Sequence, residues 1–287
     1  MSEPPENPRL ILDLYWSSAD ERTITTAAEF AQLMGLDLLG LYVEDEAVHA
    51  LAALPFAREF RLPTHEWSGI EAGRIADEFR HAAASAQRLL MRAAETLGVA
   101  HAFEALRGDP AASVTQRSRH GDIVLFAEPR GAGDRSTRSF ARLWQAALSS
   151  PASVLLVPVR LSRRQGPIAA AVTRAHDPAL RTAVRIARAA GENLLLLIPA
   201  HGHPTRDEVY GAAQALGVSE RRIHTRVLRG RSTEGILHAL AGCPERMLVL
   251  ERAMLSGPDD ALFAIAAGCG APVLLLDGDV GTSVGAG

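Results

Sequence analysis

The chain contains the same structural pattern twice. A strand–helix–strand passage at 10–43 recurs at 166–199. In both copies a short apolar strand precedes an Ala-rich helix that is expected to end at a glycine, Gly35 or Gly191, and a second apolar strand follows. Both copies also close on similar apolar strands. An internal repeat of domain length determines the architecture before any site is considered.

Strands and helices alternate through each copy, which is typical of a parallel sheet covered by helices on both faces. The first copy spans 9–160 and includes a long helical insertion at 46–98, whereas the second, at 166–277, is shorter. We expect the first helix to begin at a capping box formed by Ser18 and Glu21. The sequence therefore predicts an α/β protein of two tandem five-stranded parallel-sheet domains of Rossmann-like type.

Composition argues against several classes of function. The formal net charge is −3, which disfavours general binding to nucleic acid or anionic membranes. All 30 basic residues are arginine, so the chain has neither a Walker lysine nor a Schiff-base lysine. No apolar run reaches the roughly 20 residues of a membrane span, and the Pro-rich N-terminus is unlike a secretory signal. Together with only two cysteines, these features predict a cytoplasmic location.

No catalytic set can be identified from residue spacing. No serine lies in a nucleophile-elbow pattern. His201 and His203, with His176 nearby, permit a metal-site interpretation, but two histidines two residues apart in a loop favour an ordinary surface loop. Cys243 and Cys269 both precede strands and are expected to be buried, inert thiols rather than a redox pair. We therefore expect a protein that is not an enzyme.

The two copies resemble the tandem members of the universal stress protein family. The resemblance covers about 9–158 and 167–277 and rests on topology and on the closing strands Pro-Ala-Ser-Val-Leu-Leu-Val-Pro and Ala-Pro-Val-Leu-Leu-Leu. It implies that the two halves pack edge to edge through their last strands. It also implies a motif in nucleotide-binding members. An acidic residue ends the first strand of these proteins. After their fourth strand come a glycine, a second glycine after two intervening residues, and Gly-Ser or Gly-Thr after nine more residues. Bare backbone amides at those glycines approach the phosphates.

This chain departs from that motif. The residues that align with its three glycines and its hydroxyl are Ala127, Arg130, Phe140 and Ala141. The first strand is expected to end on Tyr15-Trp16-Ser17 and its counterpart on Ala171-Val172-Thr173, so that both copies lack the acid. In the second copy the loop at 251–258 is too short to hold a triphosphate. The resemblance thus implies a degenerate ATP-binding motif and a protein without bound nucleotide or other cofactor.

A shifted anion site in the first copy is the alternative. The loop after its fourth strand is rich in arginine, glycine and hydroxyl residues. The candidate ligands for ATP, AMP or another anion are Arg130, Gly131, Gly133, Ser136 and Thr137. The other interpretation of the same loop is a solvated arginine-rich surface. A nucleotide hydrolase ranks third, because no general base, metal ligand or phosphate loop can be named.

Residues 46–68 are the best functional candidate in the sequence. This segment holds several large apolar side chains, interrupted by prolines, in a pattern too irregular for one helix. It either covers a ligand cavity at the carboxyl ends of the strands or packs on the second half or on another subunit. Phe56, Phe60 and Trp67 are residue types that anchor interfaces, so we favour packing. The sequence therefore predicts a non-catalytic stress-response or signalling module that acts through a protein partner or self-association.

Overall fold

The computed structural model describes residues 7–14, 20–61, 65–128, 138–159, 161, 164–255 and 261–277. The strands in these ranges are β1 (Arg9–Asp13), β2 (Asp37–Asp45), β3 (Arg58–Arg61), β4 (Glu66–Gly69), β5 (His101–Gly108), β6 (Ile123–Ala127), β7 (Ser153–Val157), β8 (Ile168–Ala171), β9 (Leu194–Pro199), β10 (Ile223–Leu228), β11 (Met247–Glu251) and β12 (Val273–Leu276). The helices are α1 (Glu21–Met34), α2 (Glu46–Ala52), α3 (Ala72–Leu97), α4 (Pro110–Arg117), α5 (Arg138–Ser149), α6 (Pro178–Ala190), α7 (Arg206–Ala215), α8 (Thr233–Leu240) and α9 (Ala261–Cys269).

Ten of these strands form one continuous sheet in the order β10-β9-β8-β11-β12-β7-β6-β1-β2-β5. Within each half, neighbouring strands are parallel. Where the halves meet, β12 and β7 are antiparallel, with Leu274 opposite Leu155. The prediction of two five-stranded parallel sheets joined through their last strands is confirmed.

The antiparallel join places the two halves in opposite orientations. Leu155 and Leu274 hold equivalent positions in the closing strands, so their pairing lies on a pseudo-twofold axis. All strands of one half run parallel to β7, and all strands of the other run parallel to β12. The carboxyl ends of the two sets of strands therefore lie on opposite edges of the sheet. A ligand site at the strand ends of one half would therefore lie far from the equivalent site of the other half, and the two halves would not share one site.

Local sequence explains where the helices begin and end. The capping box predicted from Ser18 and Glu21 does not start α1. Instead Asp20 is the N-cap, and its side chain accepts a hydrogen bond from the Arg22 amide at 3.2 Å. Ser18 lies outside the described residues. At the other end Gly35 is left-handed (φ 66°), a conformation that costs glycine little, and α1 stops there as expected.

The predicted insertion at 46–98 consists of two different parts. α3 lies between β2 and β5 as α7 lies between β9 and β10, so this helix belongs to the fold shared by both halves. It packs closely on β2, because a Cβ at Gly40 would lie only 2.4 Å from Cδ1 of Leu90. The remaining part, 46–69, forms α2 and a separate two-stranded hairpin of β3 and β4. This hairpin segment has no counterpart in the described second half.

Apolar layers cover both faces of the sheet. One layer lies under α1, α3, α6 and α7, and the other lies under α4, α5, α8 and α9. Both layers run across the junction of the halves, and α1 contacts α6 directly. Within the described ranges, no helix has the length and apolar character needed to cross a membrane.

Candidate functional site

The position of the motif's third glycine lies inside an aromatic cluster. Phe140, near the start of α5, is buried. Its ring stacks on Trp144 with centroids 6.5 Å apart and lies 5.8 Å from the ring of Phe263 on α9. Phe126 on β6 stands edge-on to Trp144 at 5.4 Å. Since α5 and α9 belong to different halves, Phe140 contributes to packing between the halves.

Two rings of this cluster are related by the pseudo-twofold axis. Trp144 precedes Leu155 in the first half, and Phe263 precedes Leu274 in the second half by the same number of residues. Their centroids are 4.7 Å apart, so equivalent positions contact each other across the junction. The join between the halves therefore has two components, the β7–β12 pairing and a helix contact formed by unlike aromatic residues.

The carboxyl edge of the first half begins with a buried acid. β1 ends at Asp13, which is buried and lies on the same face of the strand as Ile11. The sequence interpretation placed Tyr15-Trp16-Ser17 at this strand end and concluded that the acid is absent. That conclusion is wrong for the first half, because the strand ends earlier; residues 15–17 themselves lie outside the described residues.

Further carboxylates of this edge are engaged with the protein itself. Asp109, after β5, accepts a hydrogen bond from the Ala112 amide at 2.9 Å and pairs with Arg142 on α5 at 2.7 Å. Glu128, after β6, accepts from the Val159 amide at 3.2 Å. The carboxylates of Asp109 and Glu128 are thus already bonded to protein groups.

A histidine–carboxylate pair lies at the end of β2. His49 Nε2 is 3.0 Å from Glu44 Oε2, and the mostly buried imidazole stacks on Phe79 of α3 with centroids 5.0 Å apart. Residue spacing had not revealed this pair, since it spans a strand-to-helix turn with no periodic signal. It ties the start of the extra segment, α2, to α3.

In the second half an ion pair lies at the corresponding strand ends. Glu251, the last residue of β11, aligns with Ala127 at the motif's first glycine; it is buried and pairs with Arg174 after β8. Burial raises the pKa of the Glu251 carboxyl; the nearby carboxylate of Asp177 adds to the rise, and Arg174 opposes it. Asp177 is itself fully buried and accepts from the amide and hydroxyl of Thr173 at 2.8 and 3.1 Å. This polar network fills the edge with protein groups.

The other residues singled out in the sequence have separate locations. The candidate anion ligands Arg130, Gly131, Gly133, Ser136 and Thr137 lie outside the described residues, so that site stays a prediction. His203 pairs with Glu208 at 3.1 Å, and the described ranges contain no group of three or more side chains arranged for a metal ion. Cys243 and Cys269 are partly buried and pack against the same apolar layer, and burial raises the pKa of Cys269 to about 11.

The hairpin of β3 and β4 turns its aromatic face to solvent. Phe60 and Trp67 are cross-strand partners with ring centroids 5.3 Å apart, and the Trp67 side chain is 62% exposed. On the opposite face, Glu59 pairs with Arg74 of α3 at 2.5 Å and lies 3.4 Å from the hydroxyl of Ser68. The polar face of the hairpin thus faces the protein, which is the reverse of the usual arrangement.

The same segment carries further exposed apolar side chains. Phe56 is 76% exposed, and Leu51 and Leu54 are also exposed. Packing of these side chains on the second half is therefore contradicted. Their use to cover a ligand cavity at the carboxyl ends of the strands stays a prediction. Packing on another subunit or protein stays a prediction. We call Leu51, Leu54, Phe56, Phe60 and Trp67 the aromatic surface.

The chain shares its fold with known universal stress proteins. A universal stress protein from Archaeoglobus fulgidus DSM 4304 aligns with a TM-score of 0.65 and 12% identity, covering 96% of this chain and 98% of that chain. The cytoplasmic domain of a prokaryotic cation chloride cotransporter aligns with a TM-score of 0.52 and 14% identity, covering 96% and 97%. No family model and no curated protein matches the sequence. The resemblance is thus confirmed at the level of the fold.

Proposed function

We propose that this chain is a non-catalytic, cytoplasmic module with the universal-stress fold that acts in stress response or signalling through protein association. The observation that carries the proposal is the reversed hairpin, which holds Phe60 and Trp67 in solvent while Glu59 and Ser68 face inwards. Soluble monomers rarely expose large contiguous apolar patches, and patches of this kind mark interaction surfaces. Tyr, Trp and Phe are also enriched in protein interfaces.

We further propose that the protein acts without bound nucleotide. Phosphate binding at strand ends needs backbone amides that a ligand can approach closely. Phe140 carries a buried ring at one of these positions, and the second half has the Glu251–Arg174 pair at another. The alternative, an ATP, AMP or anion site at Arg130, Gly131, Gly133, Ser136 and Thr137, depends on a loop outside the described residues.

Nucleotide binding is tested on the purified full-length protein. Mass spectrometry after denaturation should detect no co-purifying nucleotide, and ATP–Mg²⁺ should leave the melting temperature unchanged. A bound ligand at a hundred times its Kd would instead stabilise the protein by about 2.7 kcal/mol. If ATP–Mg²⁺ raises the melting temperature of the wild type but not that of Arg130→Ala, the nucleotide-free proposal is wrong and the alternative site is supported.

Association is tested by site-specific photo-crosslinking in the cells that express the protein. A photoreactive residue at position 67 should form a discrete protein adduct. The matched control is position 227, because Val227 is also apolar and exposed (56%) but lies on β10, at the far edge of the sheet. Equal labelling at both positions, or none at 67, would contradict the proposal.

A further inference from the structure

We propose that the partner of the aromatic surface is a second copy of this chain, so that two hairpins bury each other in a homodimer. The inference rests on the proposed function, association through the hairpin, and adds the identity of the partner.

The hairpin is held so that its aromatic side chains cannot turn inwards. Arg74 on α3 pairs with Glu59 of β3, and also with Glu78 one turn along the same helix. Glu59 in turn lies within hydrogen-bonding distance of Ser68 on β4. Rotating the hairpin to bury Phe60 and Trp67 in its own chain would break these contacts and turn the charge of Arg58, which shares their face, towards the protein. The exposed rings are therefore a fixed feature of the isolated chain.

The size of the aromatic surface fits one side of a dimer interface. With Phe56 76% and Trp67 62% exposed, these two side chains present on the order of 300 Å². Phe60, Leu51 and Leu54 bring the apolar area to about 500 Å². A standard interface buries about 800 Å² per partner, and roughly 65% of a homodimer interface is apolar. The apolar area that one subunit of such a homodimer is expected to bury is thus about equal to the apolar area of the aromatic surface.

The charge on the outer face is suited to self-association. Alternate residues of a strand share a face, so Arg58 lies on the same side as Phe60 and Trp67. Its guanidinium is 3.5 Å from the Trp67 carbonyl oxygen. In a twofold dimer each Arg58 can lie over the Trp67 ring of the other copy, a cation–π contact that occurs twice by symmetry. The outer face thus contains both members of this contact.

The stoichiometry follows from the position of the hairpin. Between β2 and α3 the chain adds α2, β3 and β4, whereas residues 200–205 are sufficient to join β9 to α7. Each chain therefore carries one such hairpin in its described residues. A twofold interface that uses the same patch on both copies closes on itself. We expect a dimer and no larger assembly.

The test is the mass of the full-length protein in solution by sedimentation equilibrium. Wild type should have twice the chain mass of 30.6 kDa at micromolar concentration. Trp67→Asp should weaken the dimer by at least about 30-fold, as expected for a central hot-spot residue, and Phe56→Asp should act in the same direction. Val227→Asp is the control and should leave the mass unchanged. Urea denaturation of the variants in the monomer range checks that each is folded.

Two results would overturn the inference. One is a wild type that stays at 30.6 kDa up to high micromolar concentration. The other is a dimer that survives both Trp67→Asp and Phe56→Asp in folded protein. If the wild type is monomeric but position 67 crosslinks to a different protein in cells, self-association fails while the proposed function stands.

Discussion

Substituting Arg174 by alanine would leave the buried carboxylate of Glu251 without its cation. Removing one partner of a buried ion pair costs roughly 3–5 kcal/mol. Arg174 is 54% exposed, however, so water already screens part of the attraction. We therefore expect Arg174→Ala to lower the free energy of unfolding by about 2 kcal/mol at neutral to alkaline pH.

The loss should depend on pH in a defined direction. Burial raises the pKa of Glu251 above the ordinary value of about 4.3, so folding favours the protonated carboxyl. The stability associated with that preference is fully present below the unfolded-state pKa and is lost as pH rises through the raised folded-state pKa. Arg174 opposes the rise, so without it the pKa of Glu251 rises further and the loss grows. The difference between variant and wild type should thus be large at about pH 8 and small at about pH 5.

Urea denaturation followed by tryptophan fluorescence at both pH values measures this difference. Glu251→Gln keeps the shape of the side chain and removes its charge, so it is the matched background. In that background Arg174→Ala should cost under about 0.5 kcal/mol, the usual range for surface substitutions. An equal loss at both pH values, or a full loss in the Glu251→Gln background, would refute the ion-pair argument.

Two further predictions concern the junction and the thiols. Phe263→Ala removes a buried ring in contact with Phe140 and Trp144 and should lower the free energy of unfolding by about 4 kcal/mol, measured with urea; a loss under about 1 kcal/mol would mean that the cluster does not stabilise the join. Because burial raises the pKa of Cys269 to about 11, a thiol reagent at mildly alkaline pH should modify folded Cys243→Ala protein far more slowly than the urea-unfolded variant. Comparable rates would contradict that burial.

The fold could be predicted because its signals are local and occur twice. The Asp177-Pro178 pair that begins α6 and the glycine that ends α1 are determined by a few neighbouring residues. The closing strands could be recognised because a strand buried on both faces reads as a continuous apolar run, whereas the join between them was expected only from the family resemblance. Strand ends were less predictable. Leu14 and Tyr15 extend the apolar run beyond Asp13, which concealed the acid at the end of β1.

The candidate site depended on information that spacing does not contain. Arg174 and Glu251 are far apart in sequence and meet because β8 and β11 are neighbours in the sheet. The hairpin of β3 and β4 was not predicted, because its two strands are short and its apolar residues were recognised only as too irregular for one helix. The sequence also does not indicate which face of the hairpin meets solvent, because that depends on Arg74, which is supplied by the following helix.

The unlike rings at the centre of the junction make the halves non-interchangeable. If the chain were cut between β7 and β8, two copies of the first fragment would have to fit two indoles of Trp144 where the native packing holds one indole and the phenyl ring of Phe263. Two copies of the second fragment would leave space unfilled. Each fragment is therefore expected to reassemble with the other in preference to itself. A contact between equivalent positions of the two halves thus specifies its partner, because the two rings differ.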